Sequence, residues 1–310
     1  MSNYKFALLG RQGVKWRTGG PQTLSVQQTR FPLMVFLGLP LLTLAALFVV
    51  PIALTGVYSF WSVNNDYQLE TTATLNQYRK IFSTPLYFWT LLQSAWLALI
   101  TTVLCVLIAI PLAWIIGQVI PPRWRMLLIV GLILPGWVSI LIRTYSMNLV
   151  LGEVGVLNGL LMWLGLVDTP IKILFTTTAV VIGLVYIYLP YTLVPIYVAV
   201  ERLDRSVLEA AENLGASPLQ RFRRIILPLI LPGIAAGCII TFIPSMGEFL
   251  VPNLLGGLSG IMYGNLIATA FQSFNWPLGA ALSMVLLLLI LALLFVVSRF
   301  LDLSRSLVGK

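Results

Sequence analysis

Six apolar runs, at 31–60, 89–117, 126–145, 175–199, 229–251 and 278–300, constrain this chain more than any other feature. A helix needs about 20 mostly apolar residues to cross the hydrocarbon core of a bilayer. No water is available there, so each spanning segment must satisfy its own backbone hydrogen bonds. The runs therefore predict an all-α membrane protein with six transmembrane helices. Composition agrees: 59% of the residues are apolar and only 9% charged, where a soluble domain carries about 25% charged residues. Histidine, the commonest metal ligand and catalytic base, is absent. Cys105 and Cys238 both fall inside apolar runs and read as small packing residues, not as a disulfide or a metal site.

The net charge of +9 is spread over several polar segments and forms no single patch, which points to topology and away from a nucleic-acid partner. Of the 19 Lys and Arg, 15 lie in the first thirty residues, the loop with Arg123 and Arg125, the segment from Arg202 to Arg224, and the C-terminal end. Only Arg79, Lys80, Arg143 and Lys172 fall on the other side. The positive-inside rule then puts both termini and the 202–224 segment in the cytoplasm. The expected organisation is a cytoplasmic tail at 1–30, a transmembrane domain at 31–303 with a loop at 200–228, and a short cytoplasmic tail at 304–310. The first tail holds Arg and Gln but no apolar core, so a cleavable signal peptide is not expected. On the outer side, 61–88 is long and polar with room for a short helix. The apolar middle of 152–172 (residues 156–166) is too short to span and should lie at the interface or re-enter, and 256–277 carries no charge. Trp61, Trp89, Trp124, Tyr145 and Trp276 near the span ends fit an aromatic belt.

Between spans four and five lies a polar island, SVLEAAENLGASPLQRFRRIILP, from Ser206 to Pro228. Ser206 followed by Glu209 reads as a capping box, Gly215 as a helix stop, and Ser217-Pro218 with Gln220 as a second box. Two short helices with a turn at Gly215-Ala216 are predicted. Val207, Leu208, Ala211 and Leu214 form an apolar strip on the first, suited to a groove in a partner protein.

Glu209-Ala210-Ala211, Gly215, Ile225 and Leu227-Pro228 stand at the spacing E-A-A-x3-G-x9-I-x-L-P. This resembles the cytoplasmic loop of ABC-importer permeases that docks into the ATP-hydrolysing subunit. The resemblance implies a type I ABC-importer permease fold with a cytoplasmic coupling helix between spans four and five. It also assigns ATPase coupling to Ser206, Glu209, Ala210, Ala211, Leu214, Gly215, Ala216 and Pro218. No G-x-x-x-x-G-K-[ST] occurs in the chain, so ATP and Mg are expected on a separate ATPase and no cofactor is expected here. An ATPase dimer has two docking grooves and so calls for two permease chains.

Phrases such as LPGWVSILIRTY, YLPYTLVPIYVAVERLDRS, IPSMGEFLVPNLLGG and NWPLGAALS resemble the putrescine/spermidine branch of these permeases over about two thirds of the chain. That likeness implies a bacterial inner-membrane complex of two different permeases, two ATPases and a periplasmic binding protein. The first thirty residues carry no such likeness. A secondary transporter would more often show ten or more spans with internal repeats, and none is visible. A membrane enzyme lacks convergent acids, His or a nucleophile motif.

A polyamine bound in a membrane cavity calls for a carboxylate and aromatic faces. Glu248 is the one acid well inside a predicted span. At 1.5 Å per residue it sits roughly 28 Å along the fifth span from Leu229, in its outer part. Two roles are open for it: an ion pair with Arg143 in span three, or direct contact with the cation, in which case Glu248→Gln lowers transport. Trp137 and Tyr186, with Arg143 and Tyr145, complete the expected pathway set; core packing is the alternative for each aromatic. Cargo could equally be another small amine, an amino acid such as aminobutyrate, or a phosphorus- or sulfur-containing organic molecule.

Overall fold

The computed structural model describes residues 30–64 and 68–308; the 1–29 part of the N-terminal tail lies outside them. The described residues are helical nearly throughout. The chain runs through α1 (Arg30–Tyr58), a two-residue hairpin of β1 (Ser62–Val63) and β2 (Leu69–Glu70), α2 (Asn76–Ser83), α3 (Pro85–Trp114), α4 (Pro122–Ile133), α5 (Ile140–Leu151) and α6 (Val156–Trp163). Then follow α7 (Thr177–Glu201), α8 (Arg205–Asn213), α9 (Pro218–Arg221), α10 (Leu227–Met246), α11 (Tyr263–Gln272) and α12 (Trp276–Val308). The described residues up to Pro51 form one compact unit and those from Ile52 a second. In the first, α1 is a continuous apolar helix despite Pro40.

Within the second unit, α3, α7 and α10 pack together as its centre. The α7–α10 contact is close: a Cβ on Gly233 would stand 2.6 Å from both the Ala199 Cβ and the Pro195 carbonyl. Buried Thr192 and Thr241 join by their hydroxyls across the same seam. Small residues and hydroxyls of this kind hold membrane helices together where the hydrophobic effect cannot. Three apolar clusters surround the trio. Ile116, Ile196, Val200, Leu203, Ile226 and Ile230 gather at the island end. Leu97, Leu151, Leu184, Tyr188 and Leu255 gather toward the opposite end. The third joins α2, α3, α11 and α12 through Ile81, Ala98, Tyr263, Ala270 and Leu282.

Six helical stretches are long and apolar enough to cross a membrane: Pro40–Tyr58, Pro85–Val119, Ile140–Trp163, Thr177–Glu201, Pro218–Met246 and Trp276–Arg299. Five coincide with runs read from the sequence. The third does not, because the expected single helix at 126–145 is broken. α4 ends at Ile133, Leu134–Trp137 make a tight 3-10 turn, and Val138 and Ser139 are extended before α5 begins. Pro135 has no N–H to continue the α4 ladder. α4 packs on the island-end cluster through Ile129 and Leu132, and α5 packs on the opposite cluster through Met147 and Leu151. Residues 122–151 thus run the length of α7 in two halves of about 18 Å each. Neither half alone reaches the roughly 30 Å of a bilayer core.

α6 then follows α5 across the turn at Gly152–Gly155 and packs against it. Buried Asn158 pins it, its amide nitrogen donating to the Gly152 and Ile171 carbonyls while its oxygen accepts from the Ile171 amide. The short helix expected within 61–88 is α2. The uncharged 256–277 connection, read from the sequence as a loop, holds α11. At the far end α12 continues to Val308, past the boundary expected at 303.

Candidate functional sites: an exposed short helix and a buried carboxylate

The island folds as two helices about a turn, with one correction. Ser206 does not cap α8; Asp204 does, its carboxylate accepting from the Ser206 amide at 2.9 Å. Leu203 and Leu208 flank that cap in the positions of a hydrophobic staple, and both pack into the island-end cluster. α8 ends as a Schellman turn: Ala216 N–H donates to the Ala211 carbonyl and Gly215 N–H to the Glu212 carbonyl. Gly215 sits at φ +78°, a conformation that costs other residues a Cβ clash. The second predicted box forms in full, Ser217 and Gln220 bonding reciprocally with Pro218 at the first helical position.

α8 is braced from two sides. Arg221 of α9 reaches Glu212 at 2.6 Å, the one ion pair among the described residues. Arg205 donates to the side-chain and backbone oxygens of Gln118, and Gln118 donates to the Val200 carbonyl at 2.9 Å. Leu208 and buried Ala211 face the body of the protein, while Val207, Glu209, Ala210 and Leu214 face outward. The predicted apolar strip is therefore split. Val207, Ala210 and Leu214 remain as a free stripe at helical spacing, Leu214 being 88% exposed. Ser206 is exposed on the first turn, Ala216 is half-buried under the Schellman turn, and Pro218 is exposed.

The second constellation lies midway along α7. Glu248 is not inside a continuous helix: α10 stops at Met246, and a short helical stretch restarts at Leu250. The residue is buried, 9% exposed. One carboxylate oxygen accepts from the Phe249 and Leu250 amides at 3.2 and 3.0 Å, and the other accepts from the Tyr188 hydroxyl at 2.9 Å. Arg143 on α5 is 7% exposed, and its buried Nε has no hydrogen-bond partner. It lies within electrostatic reach of Tyr188, yet the Arg143–Glu248 ion pair weighed from the sequence is not formed. Tyr188 stands where that pair was expected.

The other expected pathway residues do not converge on this cluster. Trp137, on the tight turn between α4 and α5, is 86% exposed, and Tyr145 and Tyr186 are also exposed. Two features are not legible in the sequence: the Asp204 cap, because Ser206-x-x-Glu209 also fits a box, and the bond from Tyr188 to Glu248, because a mid-span tyrosine reads as packing or cavity lining without a stated partner.

An all-α membrane domain of six spans, with an exposed two-helix element between the fourth and fifth, is the type I permease fold of ABC importers. The family profile for binding-protein-dependent transport system inner membrane components matches residues 28–309, and the chain belongs to that family. It is 46% identical over 227 residues to the spermidine/putrescine transport system permease protein PotB of Escherichia coli K12, covering 73% of this chain and 82% of that one. It is 44% identical over 227 residues to PotB of Haemophilus influenzae, covering 73% and 79%. Among solved structures, a chain of a bacterial alginate ABC transporter, crystallised with an alginate pentasaccharide-bound periplasmic protein, superposes with a TM-score of 0.68. That match covers 87% of this chain and 94% of the other at 17% identity, and so bears on the fold alone. The protein is a multi-pass membrane subunit of a binding-protein-dependent transport system.

Proposed function

We propose that this chain is one permease subunit of an ATP-driven importer in the bacterial inner membrane, passing putrescine or spermidine delivered by a periplasmic binding protein. Both termini and α8 lie in the cytoplasm, on the strength of the Lys and Arg distribution. The observation that carries the reading is the free face of α8. Val207, Ala210 and Leu214, with Glu209 beside them, are held outward on a helix braced by Gln118 and Arg221, a rigid ridge suited to a groove on an ATPase. ATP and Mg are bound by that partner, and this chain carries no cofactor. Two ATPases take two permeases, the second being a homologous but different chain. Identity to the PotB proteins supports a polyamine cargo. Exposed Trp137, Tyr186 and Tyr145 offer aromatic faces to a passing cation.

The docking role is tested by Glu209→Lys and Gly215→Pro in the assembled complex. Either change should stop the ATPase from co-purifying, or leave its hydrolysis unresponsive to loaded binding protein. Normal co-purification and normal uptake in both variants would overturn it. Cargo is tested by thermal shift of the cognate binding protein with putrescine, spermidine, aminobutyrate and an organophosphonate. Stabilisation by either of the last two alone would replace the polyamine reading.

A further inference from the structure

We infer that Glu248 is a positioning residue of the translocation pathway and not a ligand of the cargo: its carboxylate clasps the break in the fifth span to α7. The inference rests on the transport role proposed above, but not on the identity of the cargo.

The break is built from several independent contacts. A helix that starts afresh leaves its first amides without intrahelical partners. At Leu250 those amides are met by the Glu248 carboxylate, which accepts from Phe249 and Leu250. The carbonyl of Phe249 is held in turn by the Asn265 side chain of α11 at 2.9 Å. Beneath the break lies Gly264, where a Cβ would come within 2.5 and 2.6 Å of the Gly247 and Glu248 carbonyls. The first turn of α11 therefore seats directly on the broken backbone, and the Tyr188 bond ties the same point to α7.

This arrangement leaves little of the carboxylate to a cation: the residue is buried and most of its acceptor sites are taken. An ionised carboxylate offers about four lone-pair sites, and three donors already converge on this one. An ammonium would find at most one of those sites open and would compete with Tyr188 and the two amides for the rest. The buried Arg143 guanidinium, within electrostatic reach of Tyr188, adds a positive charge that opposes the approach of another. Charge and hydrogen bonding both describe a closed, structural carboxylate.

The test uses the full complex of both permeases, ATPase and binding protein in proteoliposomes, with putrescine and spermidine as probes at saturating loaded binding protein. Glu248→Gln keeps an acceptor for the two amides and a partner for Tyr188, whereas Glu248→Leu keeps only bulk. A clasp predicts that Gln retains about half or more of wild-type turnover and that Leu loses about tenfold or more on both probes in parallel. Tyr188→Phe should lower turnover of both probes without changing their ratio. A cargo ligand predicts instead that Gln is as damaging as Leu, because the charge is gone, and that the spermidine-to-putrescine ratio shifts; either result overturns the inference. If Glu248→Leu fails to assemble, the Gln and Phe variants decide. Should the wild type carry neither probe, the polyamine reading fails by itself. Amide exchange at Phe249 and Leu250 then tests the clasp without cargo: slow in wild type and Gln and fast in Leu supports it, and no difference refutes it.

Discussion

Asp204 stands fully exposed at the head of α8, yet it sets where that helix begins. Its carboxyl is held below the ordinary Asp range by the Ser206 amide that donates to it. A pKa lower in the folded than in the unfolded state means the cap contributes fully above the unfolded value of about 3.9 and is lost as pH falls through the folded one. Amide exchange in the first turn of α8, corrected for its intrinsic pH dependence, should therefore be slow at neutral pH and rise only below about pH 4. Asp204→Asn keeps an acceptor that does not titrate, so it should preserve the helix start and abolish that pH response. Asp204→Ala should speed exchange at neutral pH and remove the pH response, and unchanged exchange at pH 7 would refute the cap. Local sequence could not rank Asp204 above Ser206. Both precede helix-compatible residues, and the choice falls to Leu203 and Leu208, whose burial in the island-end cluster fixes the entry of the chain.

Element by element, what could be read in advance is what depends on neighbours in sequence. The turn at Gly215 and the Ser217–Gln220 box were legible because each is closed by residues within a few positions. The break in the third span and the position of Glu248 were less so. Pro135-Gly136 and Met246-Gly247 mark weak points, but each lies inside an apolar run long enough to read as one span. α11 has no charge to outline a face, and it becomes visible only through its packing on α3 and α12. The two faces of α8 show the same limit: periodicity put Leu208, Ala211 and Leu214 on one strip, and packing turned the first two inward. An aspartate placed on each face separates their roles. Leu214→Asp should leave the thermal stability of the purified chain within about 0.5 kcal/mol while weakening ATPase co-purification. Ala211→Asp should destabilise the island, because its charge is buried without a partner. Equal stability losses in the two variants would refute the assignment of faces.

At the scale of the molecule, the two ends of α7 are chemically distinct. The island end gathers α8, α9 and Arg202, Arg205, Arg221, Arg223 and Arg224; α6 packs at the other end, beside α5. The count of Lys and Arg needs no knowledge of packing, which is why sidedness could be argued from the sequence when α11 could not. It is also a claim about the membrane that the fold does not carry by itself, so it needs its own measurement. With Cys105→Ala and Cys238→Ala as background, Leu214→Cys places a thiol on the exposed face of α8, and Val154→Cys places one on the exposed turn before α6. A membrane-impermeant maleimide applied to intact spheroplasts should label position 154 and leave 214 untouched until the membrane is opened. The reverse pattern would turn the protein over and remove α8 from the reach of any cytoplasmic ATPase. Labelling of both positions before lysis would mean that α7 does not separate the two compartments, and the six-span topology itself would fall.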